Sequence, residues 1–254
     1  MDPSGCTWIP WSSKAMQKVP DPTRVFSLLV IGIMIFRYVQ AQDWDASVVF
    51  SGFVGHPLVV VFFATAMVTV YFGYDAKIYS ALPLYDRWAA EWYWWNAWLY
   101  HATMDGSSGS LQLVPLVVHQ YQVLDYRFVN HDVMPWTIGV IELTMHYPLA
   151  LLTLYFILQK HPLQFPFEII TSCFHLFGAI AFIVGELFQG QVHIPAQDPV
   201  GENGYKLNLY HFTYYWFGFW FCNTIWIIVP YYRMKRACIE IHRAFVAADK
   251  LKSR

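Results

Sequence analysis

Long apolar segments separated by short polar connections dominate the pattern of this chain. A helix needs roughly 20 consecutive apolar residues to cross the hydrocarbon core of a bilayer. Six segments approach that length, at residues 25–42, 54–74, 88–105, 133–158, 168–188 and 210–232. The pattern therefore predicts an all-α fold, a polytopic helical bundle that resides in a membrane.

The basic residues are divided unequally between the two sides that six spans would create. Thirteen Lys and Arg residues fall on the side of the two termini, and only Arg127 and Lys206 fall on the opposite side. Because cytoplasmic loops carry the excess of Lys and Arg, we expect both termini in the cytosol. The Lys and Arg residues of the tail after the last span indicate a basic helix at the membrane surface. The segment from Pro195 to Gly204 predicts an extended, exposed loop.

The composition agrees with a membrane protein that binds apolar ligands. Hydrophobic residues make up 57% of the chain and charged residues only 13%, whereas soluble domains carry about a quarter charged residues. Aromatic residues reach 19%, and their rings suit membrane interfaces and flat apolar ligands. The net charge of −1 gives no reason to expect nucleic-acid binding. The four scattered cysteines predict neither a disulfide framework nor a zinc site.

Two pairs of ionisable residues stand inside the apolar spans. His101 and Asp105 lie four residues apart, as do Glu142 and His146, so each pair would share one face of an α-helix. Ionisable groups inside a membrane are costly and usually pair, face a cavity or take part in chemistry. Two such acids could hold one proton ready and accept another. Equally, each pair could simply satisfy two buried polar groups.

Other polar residues in the spans predict less chemistry. Di-iron bundles use Glu-x-x-His on two helices and two further Glu residues, a spacing that is absent here, so we expect neither a metal nor a cofactor. Ser107, Ser108 and Ser110 are interpreted as loop residues, because no GxSxG elbow is present. His175 is interpreted as a satisfied core histidine that could face a cavity, and Glu186 as an interfacial acid.

The last span is aromatic on every face and also carries an amide. Asn223 and Trp226 lie three residues apart near its middle and share one face. An amide in hydrocarbon needs a partner, so this face is predicted to point into the bundle. Aromatic ring faces attract cations, so such a face suits a positively charged intermediate.

Several short motifs occur in a fixed order along residues 88–232. They are the pair His101 and Asp105, the tetrapeptide Asp125–Phe128, the segment His161–Phe165, the spacing Gly178-x7-Glu186 and the run Asn223-x-x-Trp226-x-x-x-Pro230. In this order they resemble the emopamil-binding protein family, whose domain also includes the sigma-2 receptor; the first motif has Asp where the family has Glu. Residues 1–55 have no counterpart. We therefore divide the chain into an N-terminal extension with one apolar span at 1–55, a membrane domain with the five-helix family core at 56–232 and a basic cytosolic tail at 233–254.

The resemblance implies a cofactor-free sterol isomerase of the endoplasmic reticulum, which moves a ring double bond by protonation and deprotonation. It also implies a homodimer. One departure concerns the acid of the next family span, because the essential glutamate of the family falls at Gly139. Glu142 stands three residues later on the same face, about 4.5 Å further along the helix. Exchanging the residues at these two positions is expected to help an isomerase and to impair an enzyme with another substrate.

The displaced acid and the aromatic surplus favour carbocation chemistry on a different isoprenoid, in a terpene or meroterpenoid cyclase of secondary metabolism. A sterol Δ8–Δ7 isomerase and a non-catalytic sterol-binding protein stay open as alternatives. In each case the ligand is a hydrophobic isoprenoid or sterol taken from the lipid membrane. The expected site residues are Asp105, Glu142, His101 and His146 for proton transfer, and Trp226, Asn223, Trp98 and Tyr215 around the cation.

Overall fold

A computed structural model describes residues 21–43, 45–73, 76–194 and 208–253, and every regular element in these ranges is helical. The prediction of an all-α helical bundle is therefore confirmed. The first 20 residues of the N-terminal extension and the predicted exposed loop between Pro195 and Gly204 lie outside the described residues.

Eleven α-helices make up the described ranges, and several continue directly into π-helical segments. The α-helices are α1 (Pro22–Ala41), α2 (Ala46–Val49), α3 (Pro57–Gly73), α4 (Ala76–Ser80), α5 (Leu84–Trp95), α6 (Pro115–Leu124), α7 (Val133–Ile141), α8 (Tyr147–Leu158), α9 (Gln164–Phe188), α10 (Leu209–His211) and α11 (Asn223–Lys252). The π-helical segments are Phe50–Val54 after α2, Asn96–Ser110 after α5, Glu142–His146 between α7 and α8, and Phe212–Cys222 between α10 and α11.

Helices of membrane-spanning length account for most of the predicted spans. Pro22–Ala41, Val133–Leu158 and Gln164–Phe188 are long and apolar enough to cross a membrane. Ser47–Val54 and Pro57–Val68 would form a fourth span together, although they meet at a bend of 54°. The other two predicted spans lie in helical runs, 84–110 and 209–252, which contain more polar residues.

Local sequence signals mark the first helix and the bend. Asp21 caps α1, because its carboxylate accepts hydrogen bonds from the backbone N–H groups of Thr23 at 2.8 Å and Arg24 at 3.4 Å. Pro22 occupies the first turn of the helix, where a missing N–H has no cost. Gly55 ends the π-helical segment before Pro57 starts α3, and proline interrupts the hydrogen bonds of a continuous helix.

Glycines allow α7 to approach the π-helical segment Asn96–Ser110 closely. A Cβ atom on Gly106 would lie 2.6 Å from Cβ of Leu143. A Cβ atom on Gly139 would overlap Oγ of Ser110 and lie 2.5 Å from the backbone oxygen of Asp105. Position 139 therefore has no room for a glutamate, so the exchange of residues 139 and 142 cannot distinguish the two enzyme hypotheses.

The serines of Asn96–Ser110 were expected in a loop, and that interpretation is wrong. Ser107, Ser108 and Ser110 are all buried in the π-helical segment. The first two hydroxyl groups donate to backbone oxygens five residues earlier, at 2.5 and 2.6 Å. Ser110 donates to the backbone oxygen of Trp136 at 2.8 Å. The wider π winding keeps this small-residue segment helical and joins it to α7.

The basic tail is helical as predicted, because α11 continues without a break to Lys252. Its first residues also belong to the bundle, where α11 packs along α9. Arg233 is only 4% exposed and donates to Glu168 at 2.9 Å. Arg236 contacts Asp86 on α5. These ion pairs join the last helix to the preceding ones.

Candidate active site

An apolar cavity of about 200 Å³ lies inside the bundle, far larger than the roughly 30 Å³ that one water molecule occupies. Helix α1 contributes Phe26, Val30, Ile33 and Met34 to its wall. The N-terminal extension is therefore part of the same site as the remaining helices. Other aromatic residues in the wall are Tyr100, Tyr121, Phe128, Phe182, Tyr214, Phe217 and Trp226.

Two carboxylic acids reach this cavity from different helical segments. Asp105 projects from the π-helical segment Asn96–Ser110 and is half-buried. Glu142 begins the π-helical segment after α7 and is 9% exposed. The hydroxyl group of Tyr121, on α6, donates a hydrogen bond to Asp105 Oδ1. The two acids predicted from the sequence therefore line one cavity.

Two imidazoles flank Glu142 on the side away from the cavity. Nδ1 of His101 contacts Glu142 Oε2, and Nδ1 of His146 lies 3.1 Å from Glu142 Oε1. His101 is 0% exposed and His146 is 2% exposed. Glu142 thus stands between the cavity and both histidines.

One of the two pairs that the spacing predicted is present, since Nδ1 of His146 lies 3.1 Å from Glu142 Oε1. The other is not: His101 contacts Glu142 on another helix, while Asp105 pairs with Tyr121. The prediction assumed α-helical winding, whereas the segment Asn96–Ser110 is π-helical. A π-helix closes its hydrogen bonds over five residues instead of four. The side chains of His101 and Asp105 therefore do not point in the same direction from the helix axis, as they would in an α-helix.

A third histidine belongs to the site, although its role was not predicted. His175 lies on α9, lines the cavity and is 2% exposed. Its Nε2 lies 2.9 Å from Nε2 of His101. The sequence interpretation, a core histidine that could face a cavity, agrees with its burial and its position at the cavity. It did not include the contact with His101. The sequence holds no signal for this contact, since the two residues are 74 positions apart.

Asn223 and Trp226 face the bundle, as their shared helix face predicted. Both line the cavity. Trp226 Nε1 donates to Asn96 Oδ1 at 3.0 Å, and the amide nitrogen of Asn223 donates to the backbone oxygen of Phe219 at 2.6 Å. The Trp226 ring meets the Tyr100 ring edge-on, with centroids 4.6 Å apart.

Two other aromatic candidates lie elsewhere, which corrects their predicted position around a cation. Trp98 is buried and packs edge-on against Tyr147 with centroids 5.2 Å apart. Tyr215 is buried and donates its hydroxyl hydrogen bond to Gln191 at 3.1 Å. Among the described residues, both stand outside the cavity wall, because their helix faces turn toward neighbouring helices.

Glu186 is a buried ion-pair partner, so its interpretation as an interfacial acid is wrong. It is 0% exposed, and its Oε2 lies 3.4 Å from Nε of Arg127. Arg127 also contacts both carboxylate oxygens of Asp125. His193 donates its backbone N–H to Glu186 at 2.8 Å. The motif residues around 125 and 186 thus meet in one buried cluster outside the cavity wall.

Two overlapping groups of side chains have the ligand atoms that a metal ion requires. In His101, His146 and His175, one ring nitrogen of each lies within 4.8 Å of the others. In the second group, the same holds for ligand atoms of His101, Asp105 and Glu142. Both groups combine residues from more than one helical segment.

Comparisons with known proteins identify a related family. Residues 113–237 match the sequence model described as "EBP: EXPERA (EXPanded EBP superfamily)". Over 111 residues the chain is 25% identical to the 3-beta-hydroxysteroid-Delta(8),Delta(7)-isomerase of Mus musculus and 24% identical to that of Cavia porcellus. Each alignment covers 44% of this chain and 43% of the relative, so the chain spans less than half the length of these curated relatives. The family match includes Glu142, His175 and Trp226, whereas His101 and Asp105 precede it.

Proposed function

We propose that this chain is a cofactor-free membrane isomerase, because residues 113–237 match the EXPERA sequence model and the bundle contains the cavity described above. Its substrate would be a hydrophobic, sterol-like ring alkene, and its reaction would move the double bond through a carbocation. The observation that carries this proposal is the position of Asp105 and Glu142 in the wall of one apolar cavity.

A double-bond shift needs one proton donor and one proton acceptor. The π electrons of the alkene form a C–H bond with the proton of the donor, which leaves a cation on the neighbouring carbon. An adjacent C–H bond then releases its proton to the acceptor, and its electron pair forms the new double bond. The substrate gains one proton and loses another, so the reaction consumes no cofactor. Two carboxyl groups at the same cavity can supply both steps.

The surroundings of the two acids suggest their roles. Glu142 contacts the Nδ1 atoms of His101 and His146, and imidazole can pass a proton onward. This arrangement suits a proton acceptor. Asp105 contacts the hydroxyl group of Tyr121, which holds the carboxyl group in place, and it takes the role of proton donor.

Aromatic rings in the cavity wall would stabilise the cation. Tyr100 and Trp226 meet edge-on, and the Phe26 ring lies 5.9 Å from the Trp226 ring. Ring faces attract positive charge through their quadrupole, and preoriented groups stabilise a charge that develops during the reaction. The apolar wall also keeps water from capturing the cation.

A second candidate is a cyclase that starts a similar cation on a prenylated or epoxidised isoprenoid. The position of the acid favours it. The family resemblance expects the acid at position 139, where a side chain has no room, whereas the acid of this chain is Glu142, about one turn further along the helix. Asp105 is also shorter than the expected Glu. These differences place the proton-transfer groups differently along the cavity, which would suit a different reacting carbon.

Microsomes that contain the protein can separate these functions. They are incubated with a Δ8 sterol and, separately, with an epoxidised farnesyl aromatic compound, and the products are identified by gas chromatography and mass spectrometry. Conversion of the sterol alone supports the isomerase and rejects the cyclase. Conversion of the epoxide alone gives the opposite result. Absence of both products, with sterol binding unchanged in Asp105→Asn and Glu142→Gln, supports a non-catalytic sterol-binding protein.

The cellular setting is part of the same proposal. We propose the endoplasmic reticulum as its membrane, because of the family resemblance. We also propose that both termini lie in the cytosol, because of the distribution of Lys and Arg. A homodimer would use exposed apolar side chains of the outer helix faces, such as Phe177 and Phe212. Protease protection of N- and C-terminal epitope tags in intact microsomes tests the orientation.

A further inference from the structure

Three imidazoles from three helical segments converge behind Glu142. His101 comes from the segment Asn96–Ser110, His146 from Glu142–His146 and His175 from α9. One ring nitrogen of each lies within 4.8 Å of the others, and the Nε2 atoms of His101 and His175 are 2.9 Å apart. All three residues are at most 2% exposed. The proposed function uses His101 and His146 beside Glu142, and it leaves His175 and the convergence of all three rings unexplained.

Two ring nitrogens of the triad are buried with neither a hydrogen bond nor a carboxylate beside them. Within the described ranges these are Nε2 of His146 and Nδ1 of His175, whereas the Nδ1 atoms of His101 and His146 face Glu142. Leaving a buried polar atom without a partner costs about 1–3 kcal/mol, and folded proteins satisfy the large majority of such atoms. A concentration of these atoms at one place indicates a ligand that uses their lone pairs.

Glu142 occupies the position of an outer carboxylate around such a ligand. It contacts Nδ1 of His101 and lies 3.1 Å from Nδ1 of His146. Histidines that bind metals usually donate their second ring N–H to a carboxylate, a contact that fixes the tautomer and the ring orientation. Protonation at Nδ1 leaves the lone pair of each ring on Nε2. In His101 that Nε2 atom is the one beside His175.

We propose that Nε2 of His101, Nε2 of His146 and one ring nitrogen of His175 form a binding site for a divalent transition-metal ion, with Zn²⁺ as the preferred ion. Imidazole ligands suit Zn²⁺. Tetrahedral zinc with Zn–N bonds of about 2.0–2.1 Å places its ligand atoms roughly 3.3 Å apart. That value lies within the limit of 4.8 Å for the triad, and the two Nε2 atoms of His101 and His175, now 2.9 Å apart, would have to separate by about 0.4 Å to reach it. His175 lines the cavity, which gives the ion an entry route.

Zinc at this site would inhibit the proposed isomerase. The ion would occupy the imidazoles of His101 and His146, which contact Glu142, so these rings would no longer pass a proton onward. This consequence rests on the proposed function, whereas zinc binding itself is independent of it. The sequence predicted no metal because no helix carries a metal-binding motif; the third ligand comes from α9.

The test uses the full chain, purified in detergent after removal of any affinity tag and stripped with a chelator. Zn²⁺ is titrated against a chromophoric competitor, and Co²⁺ is added to a second sample for visible absorption spectra. The expected results are one equivalent of bound Zn²⁺ and the absorption bands of tetrahedral Co²⁺. His146→Gln and His175→Gln should each weaken zinc binding by more than about 100-fold. Glu142→Gln should weaken it by roughly 10–100-fold, as outer carboxylates do.

His161→Gln is the matched control, because this histidine is exposed and lies outside the triad. Size-exclusion profiles and thermal unfolding verify that each variant is folded. Absence of Zn²⁺ uptake by the wild-type protein, or unchanged affinity in folded His175→Gln, would overturn the site. The imidazoles would then be a hydrogen-bonded cluster around water. If the wild-type protein binds Zn²⁺ and its isomerase activity is unaffected, the site stands and the inhibition is wrong. If no substrate is converted, the binding data still decide the metal site.

Discussion

Two clusters of buried acids in this protein differ in the kind of partner they have. Asp125 and Glu186 are both 0% exposed, and both contact the guanidinium group of Arg127. Asp105 and Glu142 contact a phenol and two imidazoles instead. Only the second pair of acids lines the cavity.

The difference shows why burial alone does not identify a proton-transfer site. Arginine stays protonated in proteins, so Arg127 gives Asp125 and Glu186 a permanent counter-charge. Such acids serve to join helices. Imidazole can gain or lose a proton near neutral pH. Under the proposed function, Glu142, which lies next to His101 and His146 and lines the cavity, is the acid that exchanges a proton during the reaction.

The largest expected effect comes from removing the cavity acids. Asp105→Asn and Glu142→Gln should each lower turnover by about 10²- to 10⁴-fold, the contribution of a positioned general acid or base. Product formation in microsomes measures this loss, with protein amounts matched by immunoblot. Glu240→Gln is the control, because its carboxylate pairs with Arg243 on the exposed tail. Turnover near the wild-type level in both acid variants would remove the cavity acids from the mechanism.

Breaking the other cluster should affect stability instead of chemistry. Arg127→Met leaves two buried carboxylates without their cation, and loss of one partner of a buried pair costs about 3–5 kcal/mol. Thermal unfolding in detergent should show a large decrease in Tm, while the folded fraction retains its turnover. Arg243→Met, at an exposed pair, should change stability by less than about 0.5 kcal/mol. An Arg127→Met protein that is stable and inactive would reverse the two roles.

The phenol of Tyr121 provides a finer test of the cavity cluster. Tyr121→Phe removes the hydroxyl group that donates to Asp105, and a typical hydrogen bond contributes about 0.5–1.5 kcal/mol. Turnover should decrease roughly 3- to 10-fold while the fold is retained. Tyr93→Phe is the matched control, because its buried hydroxyl lies 3.4 Å from Ser172 outside the cavity wall. Equal effects of the two variants would show that the Tyr121 contact is only structural.

The smallest expected effect concerns the close approach of α7 to the segment that carries Asp105. Gly139→Ala places a methyl group against Ser110 and the Asp105 backbone, and such overpacking typically costs about 1–3 kcal/mol. Gly178→Ala, whose nearest neighbour is Glu142 Oε1 at 3.7 Å, should be tolerated. Thermal unfolding compares the two variants. Equal Tm values would mean that α7 can move away at no cost.

Much of the site was visible in the sequence as individual residues. Asp105, Glu142, Asn223 and Trp226 were predicted as site residues, and all four line the cavity. Their polarity is expensive inside an apolar span, so each signals a specific environment without knowledge of its partner. Trp98 was predicted beside the cation as well, but among the described residues it stands outside the cavity wall, because an abundance of aromatic residues gives no information on the direction of each ring.

The contact partners of the buried polar residues could not be predicted from the sequence. His175 looked like an ordinary core histidine until the fold placed it beside His101. Glu186 looked interfacial until Arg127 was found next to it. Both contacts join residues far apart in the chain, and no periodicity within one helix encodes them.

The sequence by itself predicted a helical membrane bundle that resembles the emopamil-binding protein family, with two acids in its spans. Apolar length and the cost of buried charge are local properties, which each segment carries independently of the others. Only the tertiary structure decided that Glu142 contacts both His101 and His146, that Asp105 accepts a hydrogen bond from Tyr121 and that three imidazoles lie close together. Those contacts depend on π-helical winding and on close approach at Gly139, and both are set by packing between helices.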